Sequence, residues 1–329
     1  MKYLAYLTVL ISLGLVYCLP ASSEIIDSYV SPASNSQADA QAKTVIGKQN
    51  FTVIKGKDTL LDVARRFNLG YIELVEANPK IDPWIPQDGA VVLLPTEWIP
   101  PTPRLNTIVI NKAELRLFYF YKQDGQIMVK TYPLGIGRDG FSTPNGTFKA
   151  SSIVKNPTWI PTADTRRDKP WLPAAVPPGP DNPLGTHRIK LSNTVYGIHG
   201  TNLPYGVGRY VSRGCIRMYP EDIIKLVQAV KVGTPIVIID EPVKIGYRNG
   251  NIYVEYEGEL SKFTTEQKLN LYNRAVELLD QKGLTQYVDL DKVRRAVHAS
   301  KGLPILISDS KRSEYTNNTS EETTDPSSL

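Results

Sequence analysis

Between residues 105 and 240 the chain alternates short runs of β-branched and aromatic side chains with breaks rich in glycine and proline. That rhythm restricts the fold more than any other feature, because short runs bounded by turn formers read as strands. Strands are expected at 107–110, 115–121, 127–134, 147–154, 187–191, 195–199 and 235–240. Asp124-Gly125 marks a turn between the second and third, so the first three read as an antiparallel meander. One helix is expected over 220–230, where Pro220 suits the first turn and Ile223, Val227 and Val230 recur on one face. The breaks at 135–137, 143–146, 156–159 and 180–185 read as turns, with the walls of a cleft as the alternative.

Residues 197–218 carry the chemistry. His199 precedes Cys215 by sixteen residues, glycines stand against both at 197, 200 and 214, and Arg213 and Arg217 flank the thiol. The polar stretch between them holds Pro204, Gly206 and Gly208 and reads as a loop that can fold back and join the two side chains. A free thiol titrates near ~8.5, so a nucleophilic cysteine needs a neighbouring base or cations. Imidazole supplies the first and guanidinium the second. Gly214 lets a substrate carbonyl approach the backbone, where amides near Gly214 and Cys215 can hold an oxyanion. Arg217 can grip a carboxylate with its planar fork. A small buried hydrophobe and a packing histidine are the bland alternative for an isolated pair.

Residues 1–23 read as a secretory signal, with Lys2 before an apolar run and Ala21-Ser22-Ser23 before a cut at Glu24. An uncleaved membrane anchor is the alternative, against which the short apolar run argues; Cys18 raises a lipoprotein alternative, against which Tyr17 argues by its bulk. Of the two cysteines only Cys215 would survive cleavage. An unpaired thiol in an exported chain points to a reactive residue. The formal charge of +5 suits an anionic partner such as a cell-wall polymer, and the lack of a basic–aromatic run argues against nucleic acid.

Residues 24–48 read as a linker. Residues 50–95 order as strand, helix, helix, strand: 51–54, a helix capped by Asp58 with Leu60, Val63, Ala64 and Phe67 on one face, 71–77, and 90–94. Trp98 to Pro103 reads as a semi-rigid joint. Beyond residue 241 the turn Asn249-Gly250 predicts a hairpin, Thr264 and Gln267 a capping box opening a helix to about 282, and a second helix follows over 289–301. His298 on that helix reads as a surface or packing residue, the chain 308–329 as a disordered tail, and Asn317 as a weak glycosylation sequon.

Two resemblances follow. The start Lys55-Gly56-Lys57-Asp58-Thr59-Leu60, the helix end Glu76-Ala77-Asn78-Pro79 and the strand before Pro95 resemble a LysM module, which implies binding to glycans containing N-acetylglucosamine, such as peptidoglycan. Ile198-His199-Gly200 with Ser212-Arg213-Gly214-Cys215-Ile216-Arg217, together with 143–148 and 180–185, resembles the YkuD-type L,D-transpeptidase catalytic domain over residues 105–240. The fold implied is a mainly β catalytic domain, a YkuD-like β-sandwich with one or more helices. Beside it stand a small α+β module (βααβ) at 50–95 and a helical C-terminal appendix at 241–307.

The resemblance also assigns roles. Cys215 is the nucleophile on the amide before the terminal D-Ala of a peptidoglycan stem, forming a thioester. His199 takes and returns the proton. The backbone carbonyl of Gly200 orients His199. Amides of Arg213, Gly214 and Cys215 form the oxyanion hole, and Ser212, Arg213 and Arg217 contact substrate. The acceptor is an amine of a second stem or of an outer-membrane lipoprotein with a C-terminal lysine, in the periplasm. Carbapenems would acylate the thiol, and no metal or cofactor is required. An L,D-carboxypeptidase and a non-catalytic wall-binding protein are the alternatives. Many members have histidine where this chain has Arg213, and His187 remains a spare candidate near the cleft.

Overall fold

The computed structural model describes residues 28–30, 44–299 and 302–309. The signal, Cys18, the sequon and most of the tail lie outside them.

The order of elements begins with β1 (Ser28–Val30) and β2 (Ile46–Gly47). A small unit follows: β3 (Asn50–Val53), α1 (Leu60–Arg66), α2 (Tyr71–Ala77) and β4 (Val91–Leu94), with β3 antiparallel to β4. Thr59, not Asp58, caps α1. Its hydroxyl accepts from the Asp62 amide at 3.2 Å and its own amide donates to Asp62 Oδ2 at 2.9 Å. Asp58 instead pairs with Arg66 at 2.7 Å. A hydroxyl one residue nearer the first turn reaches the free amides that Asp58 cannot. Buried Asn78 ties the end of α2 to β4, donating to Leu74 O and Leu93 O and accepting from the Leu93 amide, each at 2.8 Å.

After β5 (Glu97–Trp98) come β6 (Thr107–Asn111), β7 (Arg116–Gln123), β8 (Gln126–Pro133), β9 (Ile136–Gly137), β10 (Gly146–Lys155), α3 (Ala163–Asp168), β11 (His187–Leu191), β12 (Gly197–His199), β13 (Tyr210–Ser212), β14 (Ile216–Arg217), α4 (Pro220–Ala229) and β15 (Pro235–Ile239). The main sheet is one nine-stranded mixed sheet, β1-β8-β7-β6-β15-β10-β11-β12-β14. β6/β15 and β12/β14 are parallel pairs, and β9 with β13 forms a separate parallel pair. The expected sandwich is therefore one sheet. Its inner face, from Ile108 and Leu117 round to Ile198 and Ile216, lines a single core closed by Ile223 and Leu226 of α4, which requires the sheet to curl.

The long apolar run of β7 is explained by burial on both faces. Leu117 and Tyr119 enter that inner core, whereas Phe118 and Phe120 pack outward against Leu60, Leu74 and Trp98 of the N-terminal unit. Two linker expectations change as a result. Within 24–48, β1 adds an edge strand to β8 and β2 pairs with β5. Trp98, expected in a joint, lies in a core, and its indole N–H donates to Glu73 at 2.8 Å.

The remaining chain forms β16 (Val243–Arg248), β17 (Asn251–Tyr256), α5 (Thr265–Gln281), α6 (Leu290–Ala299) and β18 (Ile305–Leu306) around its own core. The Thr264/Gln267 capping box opens α5 as expected. Ser308, expected in the tail, is buried and its hydroxyl accepts from the Ile252 amide at 2.6 Å. Lys244 joins this unit to the sheet by ion pairs with Glu114, Glu255 and Glu257 at 2.7, 2.9 and 3.2 Å.

Candidate active site

Strand alternation builds the site. Ile189, Ile198 and Ile216 fill the core from β11, β12 and β14 and are fully buried. Their neighbours along each strand must point the other way. β11 pairs Arg188 with His199, and β12 pairs His199 with Arg217. One face thus presents Arg188, His199 and Arg217 on three adjacent strands, with Cys215 one residue before β14 and near enough for Arg188 and Arg217 to act on its thiol.

His199 is 4% exposed. Its Nδ1 lies 2.6 Å from the carbonyl oxygen of Gly200. A carbonyl only accepts, so Nδ1 carries the proton and Nε2 keeps its lone pair. Burial drives the imidazole pKa down to about 4, the Gly200 bond opposes that shift, and Arg217 and Arg188 reinforce it. The ring is therefore neutral near pH 7, as a base must be. Gly200 in turn is tightly packed, since a Cβ there would stand 3.1 Å from Ile223 Cγ2 and that methyl would have to give way.

Cys215 is half-buried and free. Burial raises its thiol pKa, while the Gly197 amide, Arg188 and Arg217 pull it down. The resting pair is neutral thiol and neutral imidazole, with two cations placed to favour the thiolate once the proton moves. Burial lowers the pKa of Arg217, and its Nε has no hydrogen-bond partner.

The turn before Cys215 is held from inside. Ser212 Oγ donates to the Cys215 carbonyl at 2.5 Å and accepts from the Gly214 amide at 3.1 Å. Two expectations change here. Ser212 is 3% exposed, so it staples the turn instead of meeting substrate. The Gly214 N–H is engaged by that staple and is not directed at an oxyanion. Gly214 itself sits at φ +98°, and a Cβ there would fall 2.3 Å from the Tyr196 ring, so only glycine fits. Buried Thr143 fixes the next peptide, donating to the Gly214 carbonyl at 3.1 Å while accepting from the Gly137 amide at 3.0 Å.

Arg213 pairs with Asp168 at the end of α3 and lies 4.5 Å over the Phe141 ring. Its side chain thus ties the 156–186 excursion to the turn before the thiol. His187 falls on the opposite face of β11 from Arg188. Its ring contacts Thr186 at 3.0 Å, and only its carbonyl serves the site, accepting from the Gly200 amide at 3.2 Å. Sequence reasoning missed Arg188, Tyr196 and the role of Thr143. Arg188 becomes visible only with the β11/β12 register; Thr143 stood in a motif but read as a turn. Among the described residues no cluster of three His, Cys, Asp or Glu could hold a metal ion.

The family model for YkuD, the L,D-transpeptidase catalytic domain, matches residues 105–238. A Salmonella typhimurium protein named probable L,D-transpeptidase ErfK/SrfK is 36% identical, covering 85% of this chain and 91% of that relative. Two Escherichia coli proteins named probable L,D-transpeptidases are also similar. YcfS is 40% identical over 66% of this chain and 71% of its own, and YbiS 35% identical over 88% and 94%. A solved L,D-transpeptidase from Mycobacterium smegmatis covers 47% of this chain and 71% of its own at 22% identity and a TM-score of 0.32. With relatives matched along nearly their whole length, the chain belongs to the YkuD-type L,D-transpeptidase family and is an enzyme of that type.

Proposed function

We propose that this enzyme acts on peptidoglycan stems through a thioester on Cys215. The observation that carries the reading is a free thiol beside one strand face that presents a neutral imidazole and two guanidinium groups. Nε2 of His199 takes the thiol proton as sulfur attacks the carbonyl between the third residue, a diamino acid, and terminal D-Ala. The Gly214 carbonyl is held by Thr143. A trans peptide points the Cys215 N–H the opposite way. That amide and the Arg213 amide stabilise the oxyanion. The imidazolium returns its proton to the departing D-Ala amine, and an acceptor amine then attacks the thioester. Arg217 and Arg188 bind carboxylates of the donor, which relieves an otherwise unpaired buried charge.

The acceptor is the diamino acid of a second stem or a lipoprotein lysine. The βααβ unit at 50–95 serves as a LysM module that holds the glycan, and a cleaved signal delivers the chain to the periplasm. The test incubates purified protein with tetrapeptide muropeptides and reads products by mass spectrometry. Cross-linked stems with free D-Ala support the proposal. Trimmed tripeptides without cross-links would make it a carboxypeptidase, and no change in the stems would leave a wall-binding protein.

A further inference from the structure

The loop that joins His199 to Cys215 is not held by the sheet alone. The first turn of α2, in the N-terminal unit, docks on it through backbone. The Tyr71 amide reaches Val207 O at 3.5 Å and the Ile72 amide donates to Gly208 O at 3.1 Å. Amides of a first helical turn have no partner within their own helix, so carbonyls of the catalytic loop complete it. The Arg209 guanidinium lies 4.7 Å over the Tyr71 ring, and beneath that pair the two backbones meet at glycines. A Cβ on Gly70 would stand 2.9 Å from Gly208 Cα, and one on Gly208 would stand 2.0 Å from the Tyr71 nitrogen.

The close packing continues inward. The Gly208 amide donates to Leu134 O at 2.9 Å, and the Ile136 amide to Arg209 O at 3.1 Å. Gly135 lies so near the loop that a Cβ would fall 2.4 Å from Gly206 O. Gly135 and Arg217 then exchange two backbone hydrogen bonds, at 2.9 and 2.7 Å. A continuous set of glycine-mediated contacts therefore runs from α2 to the arginine beside Cys215. The unit is also anchored, since fully buried Arg116 of β7 pairs with Glu73 of α2 at 2.5 Å and stacks 4.4 Å over Trp98.

We propose that the first turn of α2, Gly70 to Ile72, is a positioning element of the catalytic centre. It sets Val207 and Gly208, and through Gly135 it sets Arg217 against the sulfur. The N-terminal unit is then part of the reaction machinery even when the substrate carries no glycan. For turnover the inference rests on the transpeptidase reading; for thiol reactivity it does not.

The probe is Gly70→Ala in the full chain. Gly70 sits at φ −82°, ψ 155°, which alanine adopts freely, so the substitution acts only by pushing on Gly208. With a soluble tetrapeptide lacking sugar, kcat for D-Ala release is expected to fall about tenfold or more and KM to stay within about twofold. The pH midpoint for alkylation of Cys215 by iodoacetamide moves up as Arg217 shifts from the sulfur. Ser261→Ala, which removes the hydroxyl bond of the appendix to Glu76 near the far end of α2 and keeps the amide bond, leaves both unchanged. A folded Gly70→Ala protein with unaltered kcat and midpoint would overturn the proposal.

Should that variant not fold, hydrogen exchange on the wild-type chain decides. The Ile72 and Gly208 amides are expected to exchange at one common rate, and an Ile72 amide opening well before Gly208 would mark α2 as a mere tether. A wild-type protein that releases no D-Ala overturns the transpeptidase reading alone, and the alkylation and exchange results still judge this one.

Discussion

Thr143→Val removes one hydroxyl at nearly constant volume and so isolates what holds the turn before Cys215. Two backbone groups lose a partner, the Gly137 amide at 3.0 Å and the Gly214 carbonyl at 3.1 Å. Thr143 is 1% exposed, so water does not replace the hydroxyl. An unsatisfied buried group costs about 1–3 kcal/mol, which for the two sums to about 2–6 kcal/mol of stability. For a protein of this size that lowers Tm by about 5–10 °C. Catalysis is expected to suffer more. A freed Gly214 carbonyl lets the following peptide rotate, and the Cys215 N–H leaves the oxyanion; loss of one such donor costs about 10²–10³ in kcat. The assay is D-Ala release from tetrapeptide at a temperature where both proteins stay folded, beside a calorimetric scan. Thr143→Ser keeps the hydroxyl and should recover most of kcat. A Thr143→Val protein with the lowered Tm but kcat within about twofold of wild type would refute the reasoning, since the hydroxyl would then support only the fold.

Other outcomes follow from the same geometry. The folded pKa of His199 lies near 4, below the ordinary 6.5, so the unfolded chain binds more protons below 6.5. Its contribution is complete above pH 6.5 and is lost as pH falls toward 4, on the order of 3 kcal/mol. Urea unfolding of wild type and His199→Gln at pH 7 and pH 4 should show a steeper acid loss for wild type, and equal losses would contradict it. Arg217→Met should raise the alkylation midpoint of Cys215 and reduce turnover while leaving Tm unchanged or higher, because a poorly partnered buried charge is removed. A clear fall in Tm would mean the guanidinium is a structural pillar. Arg116→Met strands Glu73, whose carboxylate also receives the Trp98 indole N–H, and should cost about 3–5 kcal/mol in denaturant titration. A loss below about 1 kcal/mol would show the N-terminal unit to be held by apolar packing alone.

Local signals were readable where a decision depends on neighbours in the chain. The strand at 187–191, the Thr264/Gln267 box and α4 stand where patterning puts them. What escaped depends on long-range register. The run at 115–121 announces a strand but not that Phe118 and Phe120 serve a different core from Leu117 and Tyr119. Ser28–Val30 has no periodicity of its own and becomes a strand because the β8 edge offers it partners. Arg188 looks like any charged strand residue until β12 lies beside it. At the candidate site, His199 and Cys215 stand out in the sequence by the glycines and arginines around them, whereas the Gly200 carbonyl, implied by the resemblance alone, lies 2.6 Å from His199 Nδ1. Ser212 was misread because a hydroxyl beside a nucleophile suggests substrate contact, and only coordinates show it turned inward on Cys215 O.

The central claim is that the half-buried sulfur of Cys215 carries the substrate's acyl group. Intact-protein and peptide mass spectrometry of the full chain, quenched after a single turnover with tetrapeptide, tests it directly. The account predicts one D-Ala released per chain and the tripeptide mass on the fragment holding Cys215, removed by hydroxylamine and missing in Cys215→Ala. Undiminished D-Ala release by Cys215→Ala, or release with the adduct on another residue, would contradict it.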